Sequence, residues 1–187
     1  MRLKGKVAIV TGGAHGMGEA EARLFAAEGA NVVVADILAD DAERVAAAIR
    51  TGSGQAISAK IDVTSEDEWK SLIDKTLSAY GRLDILVNNA GISGSSVGDP
   101  DGLDGWHRII AVNQTSVFLG TRLAAEEMAK TGGGSIVNIS SIMGFVGGTG
   151  GHPAYHASKG AVRPRRCATG RRGCGSTPCI RDTCRRC

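Results

Sequence analysis

Two kinds of hydrophobic pattern alternate along the chain. Short runs of β-branched and other apolar residues, typical of parallel strands buried on both faces, are separated by longer segments whose apolar residues recur at helical spacing. The short runs predict five strands, at 6–11, 31–35, 56–61, 83–87 and 135–139. Because strands and helices alternate strictly, the pattern predicts an α/β protein with a doubly wound parallel sheet and helices on both of its faces.

Turn and capping residues predict where the helices begin and end. Gly29 and Gly81 are expected to end the first and third helices, since glycine adopts the left-handed conformation there without steric strain. Ser65 and Glu68 form a capping box, in which the serine caps the third helix and the glutamate reaches back to the serine's backbone. The longest helix is expected from about 106 to 130.

A glycine-rich loop joins the first strand to the first helix and contains Gly12, Gly16 and Gly18. Small residues let the backbone approach a pyrophosphate, which the free N–H groups and positive dipole of the helix N-terminus then bind. The spacing is G-x-x-x-G-x-G, whereas the usual dinucleotide fingerprint is G-x-G-x-x-G. An ordinary glycine turn is the alternative, but the strand-loop-helix context favours a nucleotide site of the Rossmann type.

Acidic residues stand where the second and third strands end. The carboxyl ends of parallel strands meet at one edge of the sheet, which is where open α/β sheets bind ligands. Asp36 is therefore expected to accept hydrogen bonds from an adenosine ribose and to repel a 2′-phosphate, which favours NAD over NADP. A solvated acid is the alternative for Asp36. Asp62 and Val63 are expected to contact the adenine, and residues 88–91 suit either a cofactor contact or a turn.

Tyr155 and Lys159 are four residues apart in a predicted helix that begins near Pro153, so they share one face of it. An ammonium near a phenol favours the phenolate and lowers the phenol's pKa, which makes it a usable general acid or base. Such a pair is common on helices by chance. It gains meaning from the dinucleotide loop upstream.

With these motifs the chain resembles the short-chain dehydrogenase/reductase family. The resemblance covers residues 3 to about 162. The matching segments, in family order and spacing, are T-G-G-A-H-G-M-G at 11–18, N-N-A-G at 88–91, V-N-Q-T-S at 112–116, S-I-V-N-I-S-S at 135–141 and Y-H-A-S-K at 155–159. It implies NAD-dependent hydride transfer between a small-molecule secondary alcohol and a ketone. Relatives are expected to be homo-oligomers.

The resemblance also implies roles for single residues. Tyr155 is the expected general acid/base, and Lys159 binds the nicotinamide ribose. Ser141, the second of two adjacent serines, is expected to hydrogen-bond the substrate oxygen, and Asn113 to anchor a water in a proton relay. The residues that it implies for cofactor binding are Gly12, His15, Gly16, Met17, Gly18, Asp36, Asp62, Val63, Asn89, Ala90, Gly91, Tyr155 and Lys159.

Composition divides the 187-residue chain in two. The net charge of +3 hides a tail, 163–187, with eight arginines, one acid and all five cysteines. The remainder, 1–162, has 14 basic and 18 acidic residues. No apolar run approaches the roughly 20 residues of a membrane span, so a cytoplasmic protein without membrane contact is expected. No metal site is expected in 1–162, because its histidines do not stand with acids at ligand spacing.

The family pattern stops at about residue 162. Relatives continue with further strands and a segment over the substrate, so 1–162 is interpreted as an incomplete dinucleotide-binding and catalytic domain that lacks its C-terminal strands. The 163–187 segment is expected to be a non-homologous, disordered tail, and an out-of-frame origin is one hypothesis for it. A zinc site and a nucleic-acid-binding arm are weaker interpretations of the tail. An inactive remnant that at most binds NAD(H) is therefore the functional alternative.

Overall fold

The computed structural model describes residues 1–98, 102–146, 151–162 and 179–180. The strands are β1 (Val7–Thr11), β2 (Asn31–Asp36), β3 (Gln55–Lys60), β4 (Ile85–Asn88), β5 (Ser135–Asn138) and β6 (Cys179–Ile180). The α-helices are α1 (Gly16–Ala27), α2 (Ala39–Thr51), α3 (Glu66–Tyr80), α4 (Leu103–Ile110), α5 (Ser116–Lys130) and α6 (Pro153–Ala161). Short 3₁₀ turns occupy Gly94–Ser96 and Ile142–Gly144, and a π-helical turn, Ala111–Thr115, joins α4 to α5.

The strands form one parallel sheet in the order β3-β2-β1-β4-β5-β6. This order confirms the predicted doubly wound sheet of the Rossmann type. Successive residues of β1 point to opposite faces, so Ala8 and Val10 pack in one apolar cluster while Ile9 packs in the other. Both faces of β1 are therefore covered, which explains its uninterrupted apolar sequence.

The helix boundaries agree with the prediction except that one helix begins earlier, and one predicted capping contact differs. Gly29 and Gly81 follow their helices with φ of +90° and +74°, as expected. The capping box is half formed: the N–H of Glu68 donates to Ser65 Oγ, but the Glu68 carboxylate accepts from the N–H of Asp62 at 2.7 Å, not from Ser65. The helix predicted over about 106–130 begins earlier, at Leu103, and continues to Lys130 through the π-helical turn that joins α4 to α5.

A two-residue sixth strand lies beyond the predicted end of the domain at about residue 162. Cys179 and Ile180 pair in parallel with Ser135 and Ile136 at the edge of the sheet. Two residues are too few to produce a recognisable apolar pattern, so the sequence gives no sign of this strand. The rest of the predicted tail, 163–178 and 181–187, lies outside the described residues, and the domain boundary at 162 stays a prediction. In the described part of the chain, no helix is long and apolar enough to cross a membrane.

The buried carboxylate of Asp84 ties the amino ends of β1 and β4 together. It accepts hydrogen bonds from the N–H of Val7 (3.0 Å), from Lys6 Nζ (3.2 Å) and from Arg82 Nε (2.8 Å). Burial alone would raise the pKa of Asp84, but the bonds from Arg82, Val7 and Lys6 outweigh burial and hold this pKa below its usual value.

Asp84→Asn is expected to lower the free energy of unfolding at neutral pH by about 2 kcal/mol, because it removes the acceptor of charge-assisted bonds. A carboxyl whose pKa is lowered by folding stabilises the protein above its unfolded-state pKa of about 4, and that stabilisation is lost as the pH falls through the folded-state pKa. Urea denaturation over a pH series measures both effects. The variant should lose less stability on acidification than the wild type; parallel pH curves would contradict this role.

Candidate active site

A groove runs along the carboxyl ends of the central strands, where the strand order reverses between β1 and β4. Its larger cavity, about 470 Å³, is within the range of ligand-binding pockets. A second cavity of about 320 Å³ continues it and shares Met17, Asn89, Gly91 and Ile92. The groove therefore extends from Asp36 in the larger cavity to Tyr155 in the smaller one.

Most of the predicted site residues line this groove. Those in the larger cavity are Gly12, His15, Met17, Asp36, Asp62, Val63, Asn89, Ala90 and Gly91, and Tyr155 and Lys159 line the smaller one. Gly16, Gly18, Asn113 and Ser141 lie outside both linings. The lining residues that were not predicted are Ile37, Ile61, Ile92, Arg108 and Val112 in the larger cavity and Ser93, Ser96, Ile139 and Ser140 in the smaller one.

The glycine loop has a tightly folded backbone that residues with side chains could not easily adopt. Gly12 and Gly16 have φ of +65° and +55°, which side-chain-bearing residues rarely adopt. A Cβ on Gly18 would collide with the carbonyl of Gly12 and with the side-chain amide of Asn89. The side chain of His15, which precedes α1, makes no capping hydrogen bond. The first turn of α1 thus keeps N–H groups that suit an anionic group.

Arg44 of α2 holds the glycine loop from outside the groove. Its Nη2 donates to the carbonyl of Ala14 at 2.9 Å and lies 3.3 Å from Glu19 Oε2. Hydrogen bonds from Arg44, and then from Arg23, lower the pKa of Glu19. The contact between Arg44 and Ala14 spans 30 residues. No local pattern in the sequence indicates it.

The two predicted acids are oriented by the backbone. Asp36 accepts from the N–H of Ala14 and from the N–H of Leu38, both at 3.1 Å, through different carboxylate oxygens. Asp62 Oδ1 accepts from the N–H and the hydroxyl of Thr64 at 2.9 and 2.7 Å. Each carboxylate oxygen has more than one lone pair, so Asp36 keeps acceptor capacity for a ligand hydroxyl.

The segment after β4 is bonded to the glycine loop, so it is more than a turn. Thr11 Oγ1, at the end of β1, accepts from the N–H groups of Asn89 and Ala90, both at 3.1 Å. Asn89 Nδ2 donates to the carbonyls of Thr11 (3.0 Å) and Gly12 (3.2 Å). These bonds close the groove floor between β1 and β4.

Tyr155 and Lys159 lie on α6, as the sequence predicts. Lys159 Nζ is 6.0 Å from the centre of the Tyr155 ring and donates to the carbonyl of Ile139 at 2.9 Å. Lys159 is buried, and burial lowers its pKa. A Cβ on Gly91 would lie 3.3 Å from Lys159 Nζ and 3.2 Å from Asn113 Oδ1. The backbone at Gly91 thus approaches both side chains closely.

Asn113 lies in the π-helical turn and is fully buried. Its Oδ1 accepts from the N–H of Ile92, and its Nδ2 donates to the carbonyl of Ile92, both at 2.8 Å. Nδ2 is also 3.2 Å from Ser158 Oγ on α6. Asn113 therefore fastens the junction of α4 and α5 to the segment after β4 and to α6.

The two adjacent serines have different environments. Ser140 Oγ donates to the carbonyl of Lys159 at 2.6 Å, and Ser140 lines the smaller cavity. Ser141 Oγ accepts from the N–H of Met143 at 3.2 Å and caps the following 3₁₀ turn. The preference for Ser141 as the substrate-binding serine stays a prediction.

Comparisons with known proteins agree on one family. The sequence profile of short chain dehydrogenases matches residues 6–164. A 2,5-dichloro-2,5-cyclohexadiene-1,4-diol dehydrogenase of Sphingobium indicum is 44% identical, and a cyclopentanol dehydrogenase of Comamonas testosteroni is 46% identical; each alignment covers 87% of this chain and 64% of the relative. The solved structure of a 7α-hydroxysteroid dehydrogenase with NADH and 7-oxo glycochenodeoxycholic acid is 41% identical, with a TM-score of 0.76 over 86% of this chain and 62% of that one. This chain thus spans a little under two thirds of their length.

The helix that carries Tyr155 begins with an unusual cap. His152 is buried, and its Nδ1 accepts from the N–H of Ala154 at 3.1 Å. Its Nε2 lies 3.3 Å from the carbonyl of Gly102, the residue that precedes α4. Because Nδ1 accepts, the neutral ring has its proton on Nε2, which donates to Gly102. The sequence prediction identified Pro153 at the helix start but not His152 as the cap.

His152→Ala is expected to lower the free energy of unfolding by about 1 kcal/mol and to speed hydrogen exchange at the Ala154 and Tyr155 amides, because α6 loses its cap. His152→Ser is the control, since a serine hydroxyl accepts the same bond. Equal exchange in the alanine and serine variants would contradict the capping role.

Proposed function

This chain belongs to the short-chain dehydrogenase family, and from that premise we propose that it transfers a hydride between NAD(H) and a secondary alcohol or ketone. The observation that carries the proposal is the continuous groove, with the glycine loop and Asp36 toward one end and the Tyr155–Lys159 pair toward the other. When bound, NAD(H) accepts or supplies the hydride. The protein then has to bind both reactants, orient them and handle one proton.

NAD(H) is the proposed cofactor because the chemistry of the groove suits it. Gly12 and Gly16 have positive φ, so the loop makes a tight turn there, and the N–H groups of the first turn of α1 suit a pyrophosphate. Asp36 offers carboxylate oxygens to a ribose diol and would repel a 2′-phosphate. Asp62, Val63 and Asn89 would border the adenosine half, and the solved 7α-hydroxysteroid dehydrogenase relative was crystallised with NADH.

Tyr155 is the proposed general acid/base. In reduction its hydroxyl gives a proton to the ketone oxygen, and in oxidation its phenolate takes the proton from the alcohol. The buried ammonium of Lys159, 6.0 Å from the centre of the Tyr155 ring, would bind the nicotinamide ribose. Ser141 is proposed to hydrogen-bond the substrate oxygen beside the tyrosine.

The proposed proton relay runs through the turn that contains Asn113. Both ends of the Asn113 side chain are bonded to Ile92, and its amide nitrogen also contacts Ser158. A water anchored at this residue would therefore use its backbone carbonyl. The buried Lys159 ammonium, whose pKa is lowered by burial, is suited to pass a proton from such a water toward Tyr155.

The proposed substrates are alicyclic secondary alcohols and the corresponding ketones. The named substrates of the relatives are cyclic diols, cyclopentanol and a steroid. On the segment that begins at Ser141, Ile142 and Val146 are 71% and 52% exposed and present apolar surface. An apolar ring would be partly desolvated by that surface.

Tyr155→Phe is expected to reduce turnover of cyclopentanol or a hydroxysteroid by about 10²- to 10⁴-fold, because it removes the proton donor and acceptor. NADH binding should persist, since the rest of the groove is unchanged. Absorbance of NADH measures turnover, and NADH fluorescence titration measures binding. Turnover retained by the variant would contradict the role of Tyr155. NADH binding without wild-type turnover would support the alternative, an inactive remnant.

Asp36→Asn is expected to shift the ratio of NADPH to NADH affinity by about tenfold in favour of NADPH, because the repulsion of a 2′-phosphate disappears. The matched control is Asp62→Asn, which removes a neighbouring carboxylate from the proposed adenine contact. Fluorescence titration with both reduced cofactors gives the ratio. If the two variants shift it equally, Asp36 does not set the cofactor preference.

A further inference from the structure

Arg108 differs from the other arginines of the described residues. The other six each form an ion pair with a carboxylate; they are Arg2, Arg23, Arg44, Arg50, Arg82 and Arg122. Arg108 has neither an ion pair nor a side-chain hydrogen bond within the part of the chain that the structure describes. It is exposed, yet it lines the larger cavity of the groove. Its guanidinium is thus available to a ligand.

The position of Arg108 relates it to one part of the groove. It lies in the last turn of α4, about one helical turn before Val112, which lines the same cavity. Val112 packs against the apolar cluster that contains Ile61 and Val63, and these two residues also line the cavity. The arginine therefore stands at the rim of an apolar wall that a flat ring could cover.

The acids of the groove do not neutralise Arg108. Asp36 and Asp62 line the same cavity, but their carboxylates accept from the backbone of Ala14, Leu38 and Thr64. A guanidinium is planar and weakly hydrated, and it stacks well on aromatic faces. The competing explanation for the unpaired Arg108 is that its solvated charge stabilises the C-terminus of α4 by interacting with the helix dipole. That explanation predicts no effect on any ligand.

We propose that Arg108 is a further cofactor-binding residue, whose guanidinium plane covers the adenine ring of NAD(H) opposite the Val63–Val112 wall. This inference rests on the proposed function, because the adenine is present only if the groove binds the dinucleotide. The smaller cavity, which contains Tyr155, does not include Arg108. The contribution of Arg108 is therefore confined to the adenosine half of the cofactor.

Dissociation constants for NADH and for ADP-ribose test the proposal on the full chain. Arg108→Gln is expected to weaken both ligands by about tenfold, the range of a cation–π contact. Arg108→Lys keeps the charge but loses the plane, and it is expected to weaken both ligands nearly as much. Lys75→Gln is the control, since it removes an exposed charge from α3, a helix that lines neither cavity of the groove.

The outcomes separate this inference from the proposed function. Wild-type affinity for NADH in Arg108→Gln would overturn the inference and leave the proposed function standing. Wild-type affinity in Arg108→Lys, or a loss for NADH but not for ADP-ribose, would overturn the stacking on adenine. Failure of the wild-type chain to bind NADH would overturn both. Circular dichroism of each variant verifies that the fold is kept.

Discussion

The contact between the ends of β1 and β4 is the constraint on which the groove depends. The strand order reverses between these two strands, so the loops that follow them leave the sheet in different directions and open a crevice. Thr11 and Asn89 join the two loops by hydrogen bonds across that crevice. Together with the contacts of Arg44 to Ala14 and of Asn113 to Ile92, those bonds fix the glycine loop and the segment at Gly91. The proposed cofactor site is therefore centred on this junction of the sheet.

A second set of contacts relates α6 to this junction. Lys159 bonds to the carbonyl that follows β5, Ser140 bonds back to the carbonyl of Lys159, and Asn113 reaches the neighbouring Ser158. These contacts come from two different parts of the chain, the end of β5 and the π-helical turn, and converge on a single turn of α6. The orientation of Tyr155 toward the groove thus depends on the β5 edge and on the π-helical turn together. A short helix of nine residues would have little fixed orientation without them.

Two arginines near the groove have different partners. Arg44 is paired with Glu19 and with the carbonyl of Ala14, so it stabilises the loop. Arg108 has no such partner among the described residues, and we have proposed a ligand for it. Arg44 lies in the alanine-rich helix α2, and Arg108 lies in the short helix α4. What separates them is the position of carboxylates around them, which only the tertiary structure defines.

The sequence by itself determined the order of strands and helices, the parallel sheet and the location of the groove, because these follow from local hydrophobic periodicity and from glycine and acid residues at strand ends. It also identified Tyr155 and Lys159 as neighbours, since four residues make about one helical turn. Only the tertiary structure decided the π-helical turn at Asn113, the cap at His152, the contacts of the two serines and the role of Arg44. Asn113, Ser140 and Arg44 bond to partners 19 or more residues away, and His152 and Ser141 accept from nearby backbone N–H groups. Neither kind of contact leaves a periodic signal in the chain. The strand at Cys179 shows the same limit, because two residues acquire a strand conformation only from the edge to which they bond.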